Sequence, residues 1–144
     1  MRVDFYHLSR DPAPMALAQI AAKALEAGQR MLVIAEEEDA RAALADALWE
    51  APGFLANGEA DEPGADRQPI LIARDADTAA NGARLVALAD GVWRDKALEY
   101  DRALLFFGGD TIDGARGAWR ALGEQEGVER HYWKLVDGRW TEGP

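Results

Sequence analysis

The residues of this chain that can carry chemistry fall into two groups: carboxylates gathered beside apolar runs, and guanidinium groups set beside tryptophan. Glu36, Glu37, Glu38 and Asp39 directly follow the run Met31–Ile34, a placement that suits carboxylates binding Mg²⁺. A phosphoacceptor site of that kind also needs an aspartate at the end of the next long strand and a lysine on a later one. The run Ile70–Ala73 ends in Arg74 instead. Negative charge that favours the positive end of a helix dipole is therefore the better reading of the four acids. Gly108-Gly109-Asp110-Thr111 follows the apolar run Ala103–Phe107 and opens a helical pattern. Free N–H groups at such a start can hold a phosphate, but a tight turn with Asp110 as N-cap is the plainer reading. His7 and His131 are the two histidines, and neither has a serine partner identifiable by spacing. The absence of cysteine excludes disulfides, thiolate catalysis and Cys-ligated metal.

The second group points to binding. Arg116 and Arg120 are four residues apart, which places them on one helical face with Trp119 beside them. Their like charges repel slightly, and an acidic partner would relieve this, whether it comes from the chain itself or from outside. A solvated helix face is the alternative. Trp49 and Phe54 straddle the start of a segment rich in Gly, Pro, Asn and Asp. They serve either the core or one wall of a surface groove. Aromatic and arginine side chains supply much of the energy of protein recognition, so the pattern favours a docking surface over a catalytic centre.

These residues must be positioned by a single domain spanning 1–144. Arg2 to Leu8 reads as a strand closed by a turn at Ser9-Arg10-Asp11-Pro12. Met15 to Leu25 shows helical spacing and stops at Gly28. Arg30 to Ala35 has the continuous apolar character of a strand buried on both faces, and Glu36 to Trp49 forms a second helix. Residues 51–69 show no period and read as a long loop. Strands follow at Ile70–Ala73 and Arg84–Leu88, a weak helix or connector at Trp93–Tyr100, and the most apolar strand at Ala103–Phe107. A helix over Thr111–Gly123 precedes His131–Val136 and a turn at Asp137-Gly138, which close the sheet as an edge hairpin. Strand and helix alternate throughout. This predicts an α/β fold, three α/β/α layers around a mainly parallel sheet, with an antiparallel hairpin at the C-terminal edge.

Composition narrows the function classes. A net charge of −10 argues against general binding to nucleic acid, whose phosphates most of this surface would repel. No apolar run approaches the ~20 residues of a membrane-spanning helix. Met1–Tyr6 carries Asp4 where a signal peptide would be apolar, so the chain is expected in the cytoplasm. Neither a Gly-rich dinucleotide fingerprint in the first crossover, Leu8–Pro14, nor a P-loop is present.

Several segments, taken in order, resemble the chi subunit family of bacterial DNA polymerase III. They are Val3-Asp4-Phe5-Tyr6-His7-Leu8, Arg30–Ala35, Ala45–Trp49 and Gly53-Phe54-Leu55. Asp66–Ile72, Ala115-Arg116, Trp119-Arg120, Tyr132-Trp133 and Gly138-Arg139-Trp140 complete the set. The resemblance implies a non-catalytic accessory subunit of the clamp-loader assembly, with no cofactor and no metal. It implies binding to the acidic C-terminal tail of single-stranded DNA-binding protein, and a second partner in the psi subunit or another clamp-loader subunit. Neither strong direct binding to nucleic acid nor membrane association is implied. Carried over position by position, the tail pocket consists of Trp49, Phe54, Arg116, Trp119 and Arg120. Phe107 is a further candidate. The chain departs from the family at Leu55-Ala56-Asn57, after the loop Phe, and at Gly123, where some members carry another basic residue. Arg67 or Lys134 would then restore positive charge. The alternative is a small receiver-like or enzymatic α/β domain that uses Gly108-Gly109-Asp110 and the Glu36 cluster to bind Mg²⁺ or phosphate. A plain oligomerisation domain is a third reading.

Overall fold

Met31–Ile34, Ile70–Ala73 and Leu85–Leu88 are buried at every position, as continuous apolar runs must be when both faces of a sheet are covered. The computed structural model describes residues 1–8, 12–77, 79–136 and 139–143. In chain order the elements begin with β1 (Arg2–His7), α1 (Ala13–Glu26), β2 (Met31–Ile34), α2 (Glu38–Glu50) and β3 (Asn57–Glu59). They continue with β4 (Ile70–Ala73), β5 (Leu85–Leu88), β6 (Arg102–Phe107), α3 (Ile112–Gly123), β7 (Glu129–Val136) and β8 (Arg139–Glu142). Short 3₁₀ turns lie at Ala65–Arg67, Asp95–Glu99 and Gly109–Thr111. The strands form one sheet in the order β3-β4-β2-β5-β6-β1-β7-β8. Every neighbouring pair is parallel except β7 and β8, which are antiparallel. This is the mixed α/β fold, with a mainly parallel sheet and a C-terminal edge hairpin, that the alternation of elements predicts.

Side-chain alternation along the strands divides the core in two. On one face α1 and α2 deliver Leu17, Ala21, Leu44 and Leu48 onto Tyr6, Met31, Val33, Ile72 and Phe106. On the other, Ala115 and Leu122 of α3 and Ala97 of a 3₁₀ turn cover Val3, Phe5, Leu105 and Phe107. Each large aliphatic or aromatic side chain so buried contributes roughly 1.5–3 kcal/mol. α3 carries the chain from β6 to β7 across β1, and this crossover fixes the position of the site. Among the described residues no helix is long and apolar enough to cross a membrane.

Two local expectations are corrected and a third is made specific. The 51–69 segment contains an edge strand, β3, paired with Ile70–Ile72 of β4. The segment Trp93–Tyr100, expected as a weak helix or connector, holds a short 3₁₀ turn over Asp95–Glu99. Asp110 lies inside the 3₁₀ turn that precedes α3, and Thr111 occupies the cap position. The Thr111 hydroxyl turns back to accept the Gly108 N–H at 3.0 Å. The turn expected at Ser9-Arg10-Asp11 and the Asp137-Gly138 tip of the hairpin lie outside the described residues.

Candidate functional site

β6, β1 and β7 run parallel and adjacent, so their register decides which side chains share a face. His7 pairs with Phe107 on one side and Lys134 on the other, while Phe5 pairs with Leu105 and Tyr132. α3 lies over this face. A groove of about 310 Å³ opens between the helix and the strand ends. Its floor is aromatic, from Phe5, Phe107, Trp119 and Tyr132, and its polar rim is His7, Arg116 and Arg120. The volume is at the low end for a ligand pocket. It suits one aromatic side chain with an attached carboxylate better than a dinucleotide.

Trp119 is the hub of the floor. Its ring meets Phe5 edge-on at 5.1 Å and Tyr132 edge-on at 6.2 Å, an arrangement that the ring quadrupoles favour. Arg130 fixes it from the outside. The Arg130 guanidinium carbon lies 4.2 Å from the Trp119 ring centroid, and its Nη1 donates to the Trp119 carbonyl at 2.7 Å. A Cβ at position 123 would come within 2.8 Å of that guanidinium. The absence of a side chain at Gly123 therefore leaves the space into which Arg130 folds, which adds a guanidinium from β7 behind Trp119.

Arg116 and Arg120 are exposed on the rim. Among the described residues neither forms an ion pair, although carboxylates outnumber basic residues 26 to 16 in the sequence. Two guanidinium groups thus face solvent above an apolar floor in a strongly acidic protein. His7 is held differently. Its Nδ1 is 2.7 Å from the Tyr132 hydroxyl, and its ring stacks on Phe107 at 5.0 Å and 7°. Burial pushes its pKa below the ordinary histidine value, and the nearby charges of Lys134 and Arg116 push it further down.

The remaining expected residues divide. Phe107 lines the groove, and Lys134 is exposed in the same cross-strand row as His7. Trp49 and Phe54 are 48% and 75% exposed but do not line this groove. Leu44 and Leu48 anchor α2 to the opposite face of the sheet from α3. α2 also lies by β3 and β4, and β4 is five strand positions from β7, or about 24 Å at the usual strand spacing. The expectation that Trp49 and Phe54 form the opposite wall is therefore not met. Arg67, in the 3₁₀ turn before β4, is remote for the same reason. His7, Tyr132 and Arg130 join the site without having been singled out for it. Period two puts His7 on one face with Phe5, and Arg130, Tyr132 and Lys134 on one face of β7, but it is the β1–β7 register that brings the two sets together.

The carboxylate-rich corner is arranged for structure. Asp90, just past β5, accepts the Glu36 N–H at 3.1 Å and both Arg94 terminal nitrogens at 2.9 and 2.8 Å. Burial alone would raise its pKa, but the Arg94 and backbone hydrogen bonds outweigh it and hold the group below the ordinary Asp value. Among the described residues no three His, Cys, Asp or Glu side chains gather at metal-binding distance.

No curated protein sequence matches the chain. The family model described as DNA polymerase III chi subunit, HolC, matches residues 1–129, a span that includes β1, α3 and the groove-lining residues named above other than Tyr132. The chain belongs to the chi subunit family of DNA polymerase III.

Proposed function

We propose that this chain is a non-catalytic accessory subunit of the DNA polymerase III clamp-loader assembly, acting in the cytoplasm. It binds the acidic C-terminal tail of single-stranded DNA-binding protein and links it to the replisome. A second contact, to psi or another clamp-loader subunit, completes the link. The observation that carries this reading is the α3 groove, where two arginines without an ion pair among the described residues stand over an aromatic floor. A tail ending in acidic residues, Pro and Phe presents an aromatic ring, a terminal carboxylate and further carboxylates. Trp119, Phe107 and Phe5 take the ring. Arg116 and Arg120 take the carboxylates through charge-assisted hydrogen bonds, with Lys134 adding positive charge on the same face. Affinity is modest because the free tail is disordered and must be ordered on binding.

The test is fluorescence polarisation with a labelled acidic peptide ending in Pro-Phe. Wild type should bind saturably at low salt, and Arg116→Ala should weaken binding about 30-fold, the scale of an arginine hot spot. Amidation of the peptide's terminal carboxylate should cost at least as much. An undiminished affinity in Arg116→Ala, or no saturable binding at all, rules the reading out.

A further inference from the structure

We propose that His7 is a specificity-determining residue of the groove, a hydrogen-bond donor to a ligand carboxylate that makes acidic-tail binding pH-dependent. The inference rests on the tail-binding reading and adds a third polar group to it. Tyr132 sets the chemistry. Its hydroxyl is 2.7 Å from His7 Nδ1 and is able both to donate and to accept. The neutral tautomer the proposal requires is the one in which the hydroxyl donates to Nδ1 and the hydrogen stays on Nε2. With protonated histidine Nδ1–H donates to the hydroxyl, and Nε2 keeps its hydrogen. In either state the second ring nitrogen is a donor. Among the described residues no protein group hydrogen-bonds to it, while His7 itself lines the groove beside Arg116. The stack on Phe107 at 5.0 Å holds the ring plane in place. His7 thus reads an acceptor at the ligand, which a carboxylate supplies.

Among the described residues, the charged and titratable groups facing His7 are Lys134 and Tyr132 on β7 and Arg116 on α3. Burial, then Lys134 and Arg116, hold free His7 neutral near pH 7. A bound tail reverses the balance, because it pairs with Arg116 and brings a carboxylate to Nε2. His7 then has a higher pKa in the complex than in the free protein, so binding takes up a proton and affinity rises as pH falls. Each unit of difference between the two pKa values is worth tenfold in affinity. Between pH 8 and pH 5.5 the ligand carboxylates stay ionised, and among the described groove-lining residues His7 is the one whose ordinary pKa lies in that range.

The experiment measures Kd for the same labelled peptide from pH 5.5 to 8 with wild type, His7→Leu, Tyr132→Phe and Arg116→Ala. Wild type should tighten about tenfold as pH falls. His7→Leu should bind more weakly at every pH and show little slope. Tyr132→Phe, which frees the tautomer, should weaken binding at pH 8 more than at pH 5.5. Imidazole ¹⁵N shifts of wild type should place the neutral hydrogen on Nε2 and move on adding peptide, a readout that needs no variant to fold. A wild-type slope retained in His7→Leu, or a neutral hydrogen on Nδ1, overturns the proposal. If Arg116→Ala binds as wild type does, the tail-binding reading itself falls and this one with it. If only the His7 results fail, the groove remains a tail site without a histidine reader.

Discussion

Asp4 is a fully buried carboxylate between Val3 and Phe5, a position whose transfer from water is costly unless every oxygen is satisfied. Arg2 donates to both oxygens, Arg102 Nε to one at 2.7 Å, and Trp133 Nε1 to the other at 2.9 Å. Burial would raise its pKa, but these hydrogen bonds more than offset it, and the group is held below the ordinary Asp value. The knot joins β6, β1 and β7 at the opposite end of the strands from His7. Removing the carboxylate strands two guanidinium groups and an indole, so Asp4→Ala should lower stability by about 3–5 kcal/mol at pH 7 in urea denaturation. A depressed folded pKa means that the contribution is present above the unfolded value, about 3.8, and is lost as pH falls through the lower folded value. The gap between wild type and Asp4→Ala should therefore stay constant from pH 8 to about 4 and close only below that. Equal urea midpoints at pH 7 would contradict this account.

At the scale of elements, the β7–β8 hairpin is the part most open to control by pH. β8 is an edge strand with three of its four residues exposed, and Trp140 anchors it, edge-on to Tyr6 at 5.2 Å. A second tie is His131. Glu142 of β8 hydrogen-bonds its Nδ1, and the Glu129 carboxylate is 3.2 Å from its Nε2. These two acids raise the His131 pKa, Glu142 first. A raised pKa contributes stability that is fully present below the unfolded value, about 6.5, and lost as pH rises through the folded one. Hydrogen-exchange protection of the β8 amides, corrected for intrinsic rates, should fall between pH 6 and 8 and be flat in His131→Gln. The same scale shows what could be read in advance. β2, β4, β5 and β6 were legible because a strand buried on both faces must be apolar throughout. β3 was not, because Asn57-Gly58-Glu59 is an edge strand whose order comes from its partner Ile70–Ile72 and from Asn57 bonding the Leu55 carbonyl at 3.0 Å. The α3 half of the groove, Arg116, Trp119 and Arg120, follows from helical spacing. His7, Tyr132 and Arg130 reach it through sheet register, which no local pattern reveals. Trp49 and Phe54 were joined to it by resemblance alone, and nothing local in the sequence says which face of the sheet α2 covers.

On the scale of the whole molecule, two electrostatic effects oppose each other in any encounter with an acidic ligand. The net charge of −10 repels it, whereas Arg116, Arg120 and Lys134 attract it at one place. Salt separates them because they act over different distances. A domain of this length has a radius of gyration of about 15 Å, so an approaching tail feels the total charge from roughly 25 Å. There, ten charges act on one carboxylate with about 1.7 kcal/mol in water before screening. With a Debye length of ~30 Å at 0.01 M salt, about 0.7 kcal/mol survives; with ~8 Å at 0.15 M, less than 0.1 kcal/mol does. The contact pairs at the groove, at about 4 Å, are screened far less over the same range. Added salt should therefore speed association of the peptide between 0.01 and 0.15 M while also speeding dissociation, the two rates moving together. Net affinity should pass through a maximum near physiological salt and decline above it as the arginine pairs weaken. Stopped-flow measurement of both rate constants decides the matter. An association rate that falls steadily with salt from 0.01 M would mean that the local field of the groove, and not the acidic body of the protein, governs the encounter.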